Sequence, residues 1–234
     1  MPTRPLRVAL AGLVVLASAR GAVAQGDGGK RAPAWSNDFT TRLEALALLQ
    51  SLNAALLSHD SATLTLDRWC DAHHLASPAR IVAVRDKTAT RPVTLEQRRV
   101  LGVSATEPVR YRRVKLTCGD HVLSEADNWY VPSRLTPEMN HVLETSDIAF
   151  GRAVQALRFQ RHTLSATLLW SPLPEGWEVT RAALPDAGSK TLAVPHELLQ
   201  HQAVLTLPDG TPFSEVVETY TDEVLAFPQP RPPT

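Results

Sequence analysis

Apolar residues recur at helical spacing from Phe39 through Leu43, Leu46, Leu49, Leu52, Leu56 and Leu57, which predicts an amphipathic helix ending near Ser58. After the polar turn His59-Asp60-Ser61-Ala62-Thr63, Leu64, Leu66, Trp69 and Cys70 mark a second helix. Beyond Pro78 the period changes. Ile81 and Ala83 among valines read as a short strand, and Pro92 and Thr94 punctuate the next stretch of chain. From Arg110 to Thr117 charge alternates with Tyr111, Val114 and Leu116, the mark of a strand with one wet face. Gly119-Asp120 turns the chain, and Val122 to Tyr130 returns as the partner strand.

Thr136-Pro137-Glu138 starts a helix for three physical reasons: threonine caps free amides, proline suits the first turn, and the acid complements the positive end. That helix runs to about Glu144, and a short turn or helix comes next around Gly151. Leu164 to Trp170 reads as a strand, and Pro172 to Gly176 as a loop. Val204 to Leu207, the turn Pro208-Asp209-Gly210 and a return strand from Phe213 to Leu225 form the last hairpin. Helices come first and strands joined by turns come after, with no repeated strand-helix unit. The predicted class is α+β, an antiparallel sheet flanked by helices.

The first 24 residues alter this picture. Arg4 and Arg7 precede an apolar run from Val8 to Ala17, and Ala22-Val23-Ala24 is a small-x-small site, so residues 1–24 read as a signal peptide. Its removal takes away three arginines and no acid, and the formal charge moves from 0 to −3. The expected organisation is a flexible lead-in at 25–36, one domain at 37–227 and a proline-rich tail at 228–234, in a soluble periplasmic or secreted protein. Basic residues are matched by acids throughout, which argues against an extended nucleic-acid surface, and no other apolar run is long enough for a membrane span. Cys70 and Cys118 could form one bridge or remain buried thiols, and the sequence leaves both open. His73, His74 and His121 lack metal-ligand spacing, Gly26 to Gly29 lacks the context of a phosphate loop, and Ser171 and Ser214 lack that of a nucleophile.

The segment from Tyr111 to Arg161 concentrates Arg, Glu, Asp and Asn between apolar residues, as the wall of a pocket for an anion would. Arg112 and Arg113 must point to opposite faces of their strand, and periodicity leaves open which one faces in. Glu218 shares a face with Val216 and Tyr220, where burial would suit it to proton transfer; an acid on the solvent side of the sheet, or one pairing a lysine or arginine, is the alternative.

From His59 onward the chain resembles the chorismate lyase family. The resemblance rests on Asp60-Ser61-Ala62-Thr63, Arg112-Arg113-Val114-Lys115-Leu116, Trp129-Tyr130-Val131-Pro132, Phe150-Gly151-Arg152, Arg161, and Gly210-x-Pro212 leading to Glu218-Thr219-Tyr220. It implies a single chorismate-lyase-like domain with a buried cavity under helical flaps, needing no cofactor and no metal. It also implies elimination of pyruvate from chorismate, or a related enolpyruvyl precursor, to give 4-hydroxybenzoate. Arg112 and Glu218 take the catalytic positions, Arg112 gripping a carboxylate and Glu218 managing the proton. Arg112, Phe150, Arg161 and Ala62 take the ligand-binding ones. Arg113 stands where the family has an acid, Phe150 where it commonly has leucine, and Ala62 in place of the flap methionine. The partner implied is a small anionic aromatic or cyclohexadiene carboxylate bound by a monomer, with neither nucleic acid nor integral membrane contact. A non-enzymatic periplasmic binder of a small aromatic carboxylate is the alternative, and an envelope protein with a degenerate pocket a third.

Overall fold

A computed structural model describes Met1 and residues 34–230 of the chain. The proposed signal segment (apart from Met1), most of the lead-in and residues 231–234 lie outside the described residues.

Two long helices open the fold, each started by a side-chain cap. Asp38 accepts the Thr41 amide at the head of α1 (Phe39–Leu57), and Ser61 accepts the Leu64 amide at the head of α2 (Ala62–Ala72). The first strand, β1 (Ile81–Asp86), leads to α3 (Leu95–Val100), which carries a reciprocal capping box between Thr94 and Gln97. Next come the hairpin β2 (Arg110–Cys118) and β3 (His121–Tyr130), then α4 (Pro137–Thr145) with Thr136 as its cap, and the one-turn α5 (Phe150–Ala153). Three strands complete the chain: β4 (Gln160–Leu168), β5 (Glu197–Thr206) and β6 (Pro212–Thr221).

All six strands form one antiparallel sheet in the order β1-β2-β3-β6-β5-β4. The class is therefore α+β with an antiparallel sheet. Hairpins β2-β3 and β5-β6 meet at its centre, where β3 pairs with β6. The last strand ends earlier than its apolar run suggests. Thr221 caps the Glu223 amide and turns Asp222–Leu225 into a 3-10 turn that buries Val224 and Leu225.

One face of the sheet is covered by helices, and its cross-strand rows order the interior. In the row Leu116-Ser124-Tyr220-Leu199, Leu116, Tyr220 and Leu199 belong to an apolar cluster shared with Leu49, Leu52 and Leu56 of α1 and Leu66 and Trp69 of α2. Beyond the rows that carry Glu218 and Arg112, Tyr130 and Leu205 join Phe150, Phe159 and Phe213 in a second cluster. Between the two clusters run Val114-Ala126-Glu218-His201 and Arg112-Asn128-Val216-Ala203. Arg112, Asn128, His201 and Glu218 thus form a buried polar strip bordered by two oily cores.

Cys70 and Cys118 form a disulfide, which ties the C-terminal half of α2 to the end of β2. Asp67 adds a second tie. It accepts the Ile81 amide at 2.7 Å and both contacts of the Arg152 guanidinium, at 2.8 and 3.1 Å. Gly151 is a steric requirement: a Cβ there would lie 2.7 Å from Ser61 Oγ, so only glycine lets α5 cross the start of α2 this closely. The edges of the domain extend beyond 37–227. Trp35 is buried and donates through Nε1 to the Phe227 carbonyl at 2.9 Å, and Gln229 donates to Thr41 and Glu44.

Candidate anion-binding site

The polar strip, the first turn of α2 and the start of α5 enclose a cavity of about 40 Å³. All five residues singled out from the sequence (Ala62, Arg112, Phe150, Arg161 and Glu218) line it. The question left open by periodicity is answered by the register. Arg112 lies on the inner face and is 2% exposed, whereas Arg113 lies outside against Glu125 and Asp127.

Arg112 is a buried cation that meets no carboxylate at ion-pair distance among the described residues. Its Nη2 donates to the Ile148 carbonyl at 2.9 Å, and its Nε has no partner among the described residues. Burial, and then repulsion from Arg85, lowers its pKa to about 10, with Tyr130 and Asp147 only partly offsetting this. The group still carries its charge at neutral pH. Arg161 differs: its Nη2 donates to Glu218 Oε2 at 2.6 Å. Burial opposes the charge on Arg161, but attraction to Glu218 outweighs it and the pKa rises. Tyr220 donates its hydroxyl to the same Glu218 oxygen at 3.2 Å, and burial beside that carboxylate holds the phenol well above its ordinary value. The charge on Glu218 is therefore engaged within the protein.

Asn128 lies opposite Arg112 in the β2-β3 register. Its Oδ1 accepts from Ser214 at 2.6 Å, and its buried Nδ2 has no partner among the described residues. Arg161 Nε likewise has no partner among the described residues. Three buried donors without acceptors thus belong to residues around one cavity, a set that suits an anion with several oxygens. Ser61 and Thr63, at the positive end of α2, lie in the same wall. Phe150 serves both wall and core, since its ring packs near Tyr130 and Phe213. Ala62 contributes only a methyl-sized contact at the start of the helix.

Sequence reasoning missed Asn128, Ser61, Thr63 and His201. Asn128 could have been found, because it stands two residues from both Ala126 and Tyr130 in a strand whose inner face is otherwise largely apolar. His201 is fully buried behind the pair, its Nε2 2.8 Å from Asn53 Oδ1 of α1. Its pKa is pushed down to about 4, first by burial and then by Arg161, against the pull of Glu218.

No protein-family model matches the chain. Among curated proteins it is 58% identical over 197 residues to the uncharacterized protein y4mC of Sinorhizobium fredii (strain NBRC 101917 / NGR234), covering 84% of this chain and 83% of that one. The chain belongs to the y4mC family. Solved structures that align include PhnF from Mycobacterium smegmatis, at 12% identity and a TM-score of 0.45 over 76% of this chain and 71% of that one. The separately solved PhnF effector domain aligns at 13% identity and 0.41, over 65% of this chain and 88% of that one. A GntR-family transcriptional regulator from Enterococcus faecalis V583 aligns at 11% identity and 0.38, over 65% and 98%.

These findings correct the family expectation. The solved neighbours are effector domains and GntR-family transcriptional regulators rather than chorismate lyases. The chorismate-lyase label on the fold, the elimination of pyruvate to give 4-hydroxybenzoate and the periplasmic binder of an aromatic carboxylate are all withdrawn on that ground. The exclusion of nucleic acid and the periplasmic or secreted location are withdrawn with them, because the neighbours are transcriptional regulators. With TM-scores below 0.5, nothing about ligand or chemistry is carried over from these neighbours to this chain. Among the described residues, no helix is long and apolar enough to cross a membrane.

Proposed function

We propose that this domain is a non-catalytic receptor for a small anion, held on Arg112 with help from Asn128, Arg161 Nε and the first turn of α2. The observation that carries the reading is the buried guanidinium of Arg112 without a carboxylate partner. Removing such a charge from water costs several kcal/mol, and an anionic ligand is the natural means of offsetting it. Glu218 neutralises the neighbouring Arg161, and Asp60 in the same wall accepts the Arg161 amide, which leaves Arg112 as the cation of the cavity with no acid at ion-pair distance among the described residues. The flap of α2 and α5, clamped by Arg152–Asp67 and the disulfide, then shields the bound anion from water, where charge-assisted bonds are stronger.

The test is calorimetric titration of the full chain at constant ionic strength with formate, acetate, propionate, phosphate, sulfate and methylphosphonate. The expected result is saturable one-site binding of at least one of these, abolished in Arg112→Met, with the anion recovered chemically unchanged. Binding that survives Arg112→Met, or conversion of the anion by the protein, contradicts the reading.

A further inference from the structure

The cavity under Arg112 has a neighbour. Asp60, Ser61 and Phe159 also wall a second depression of about 230 Å³, between the start of α2 and the turn that follows α5. Two arginines line it from different elements: Arg68 on α2 and Arg158 at the end of the 3-10 turn Gln155–Leu157. Arg152, nearby in sequence, is paired with Asp67 at 2.8 Å. Among the described residues, neither Arg68 nor Arg158 meets a carboxylate at ion-pair distance.

Both side chains are exposed. Arg68 Nη2 donates to Thr65 Oγ1 at 3.0 Å, which draws the guanidinium back toward the first turn of α2. Arg158 adopts φ 51°, a left-handed conformation that is uncommon for arginine and costs free energy. Asp60 stands in the shared wall, where its Oδ1 accepts the Arg161 amide at 2.9 Å. Its negative charge repels an anionic group at the wall itself. Leu64 and Phe159 offer apolar surface alongside. The sequence of environments from the inside outward is therefore cationic, then acidic and apolar, then cationic.

We infer that the outer depression is a second subsite of the same ligand, which is an α,ω-dianion: one anionic group on Arg112, a neutral spacer past Asp60 and Phe159, and a second carboxylate or phosphoryl group on Arg68 and Arg158. This rests on the reading of Arg112 as the inner anion site. The inner cavity is small enough to take one compact group, so any larger ligand must pass into the outer depression.

The test compares two ligand series on the full chain at matched ionic strength, because exposed charges are screened by salt. One is malonate, succinate, glutarate and adipate with the monocarboxylates of equal length; the other is the corresponding phosphonocarboxylates. The expected result is one chain length at which a dianion binds roughly tenfold more tightly than its monocarboxylate. The double variant Arg68→Gln, Arg158→Asn should erase that advantage and leave monocarboxylate affinity in place. Asparagine is chosen at 158 because it tolerates the left-handed backbone. An advantage confined to the dicarboxylates gives a carboxylate at both ends, and one confined to the phosphonocarboxylates gives a phosphoryl group at one of them. Equal affinities for dianion and monoanion in the wild type, or an advantage that survives the double variant, overturn the second subsite. Loss of monocarboxylate binding in Arg112→Met then leaves the inner site standing. Failure of every compound to bind the wild type overturns both readings.

Discussion

On the outer face of the sheet, Arg113 donates to Glu125 at 2.9 Å and to Asp127 at 3.3 Å, and Asp127 also receives Arg91 at 2.9 Å and the Tyr111 hydroxyl. On the inner face, one residue earlier in the same strand, Arg112 has among the described residues one carbonyl contact and no acid at ion-pair distance. The outer network balances its charges where water can help, so its members are partly interchangeable and contribute to folding in small increments. The inner site leaves one cation without an acid among the described residues, where water cannot help, and on the proposed reading a bound anion offsets that cost to folding. Two identical side chains in sequence are thus separated in role by the alternation of a strand.

The contrast between the faces is most severely challenged at the ion pair that isolates Arg112. Arg161→Met strands Glu218 in the core with only Tyr220 for company, and stability should fall by about 3 to 5 kcal/mol in urea denaturation. A loss below about 1 kcal/mol would mean that the pair is not buried as described. Next comes pH. His201 has a folded pKa of about 4, and an unfolded imidazole titrates near 6.5, so between these values only the unfolded state takes up the proton. Stability should therefore fall as pH drops from about 6.5 to 4, by roughly 3 kcal/mol at the lower end. His201→Gln should flatten that window, and an unchanged pH profile would show that His201 is not held neutral. The smallest effect belongs to the outer face. Arg113→Met leaves Asp127 with Arg91 and Tyr111, and should cost less than about 1 kcal/mol with no change in anion affinity. A larger cost, or a change in binding, would remove the contrast between the faces.

Much of the scaffold can be read from local chemistry. Asp38, Ser61 and Thr136 cap helices as their residue types suggest, and the Gly119-Asp120 and Pro208-Asp209-Gly210 turns lie where the hairpins reverse. The capping box at Thr94 and Gln97 is equally legible as threonine followed three residues later by glutamine, yet the prolines nearby suggest only punctuation. Strand β5 is harder. Gln200, His201 and Gln202 interrupt its apolar run, and their partners, Thr219, Asn53 and Glu215, come from other elements of the chain.

The candidate site shows the same division. Strand period puts Glu218 on the face of Val216 and Tyr220, because all three lie within one strand. The side chosen by Arg112 depends on register with Asn128 and on the helices above the sheet, and neither is encoded within β2 itself. The pairing of Cys70 with Cys118 depends in the same way on how α2 lies over β2. The family resemblance failed for a related reason. Its pieces, such as Trp129-Tyr130-Val131-Pro132 at a strand end and Gly210-x-Pro212 at a hairpin turn, satisfy the general needs of antiparallel sheets. They specify a place in a fold more than a reaction.

The most direct measurement is a pair of denaturation curves, wild type and Arg112→Met, in chloride and in the tightest-binding small anion at the same ionic strength. If Arg112 holds the anion, Arg112→Met should be at least as stable as wild type in chloride, since a buried unpaired charge has been replaced by an apolar side chain of similar length. The anion should stabilise wild type in a saturable manner, by about 2.7 kcal/mol at a hundred times its dissociation constant, and leave the variant unmoved. A variant that is strongly destabilised in chloride, or that gains the same stability from the anion as wild type, would show that Arg112 is a structural residue and that any bound anion sits elsewhere.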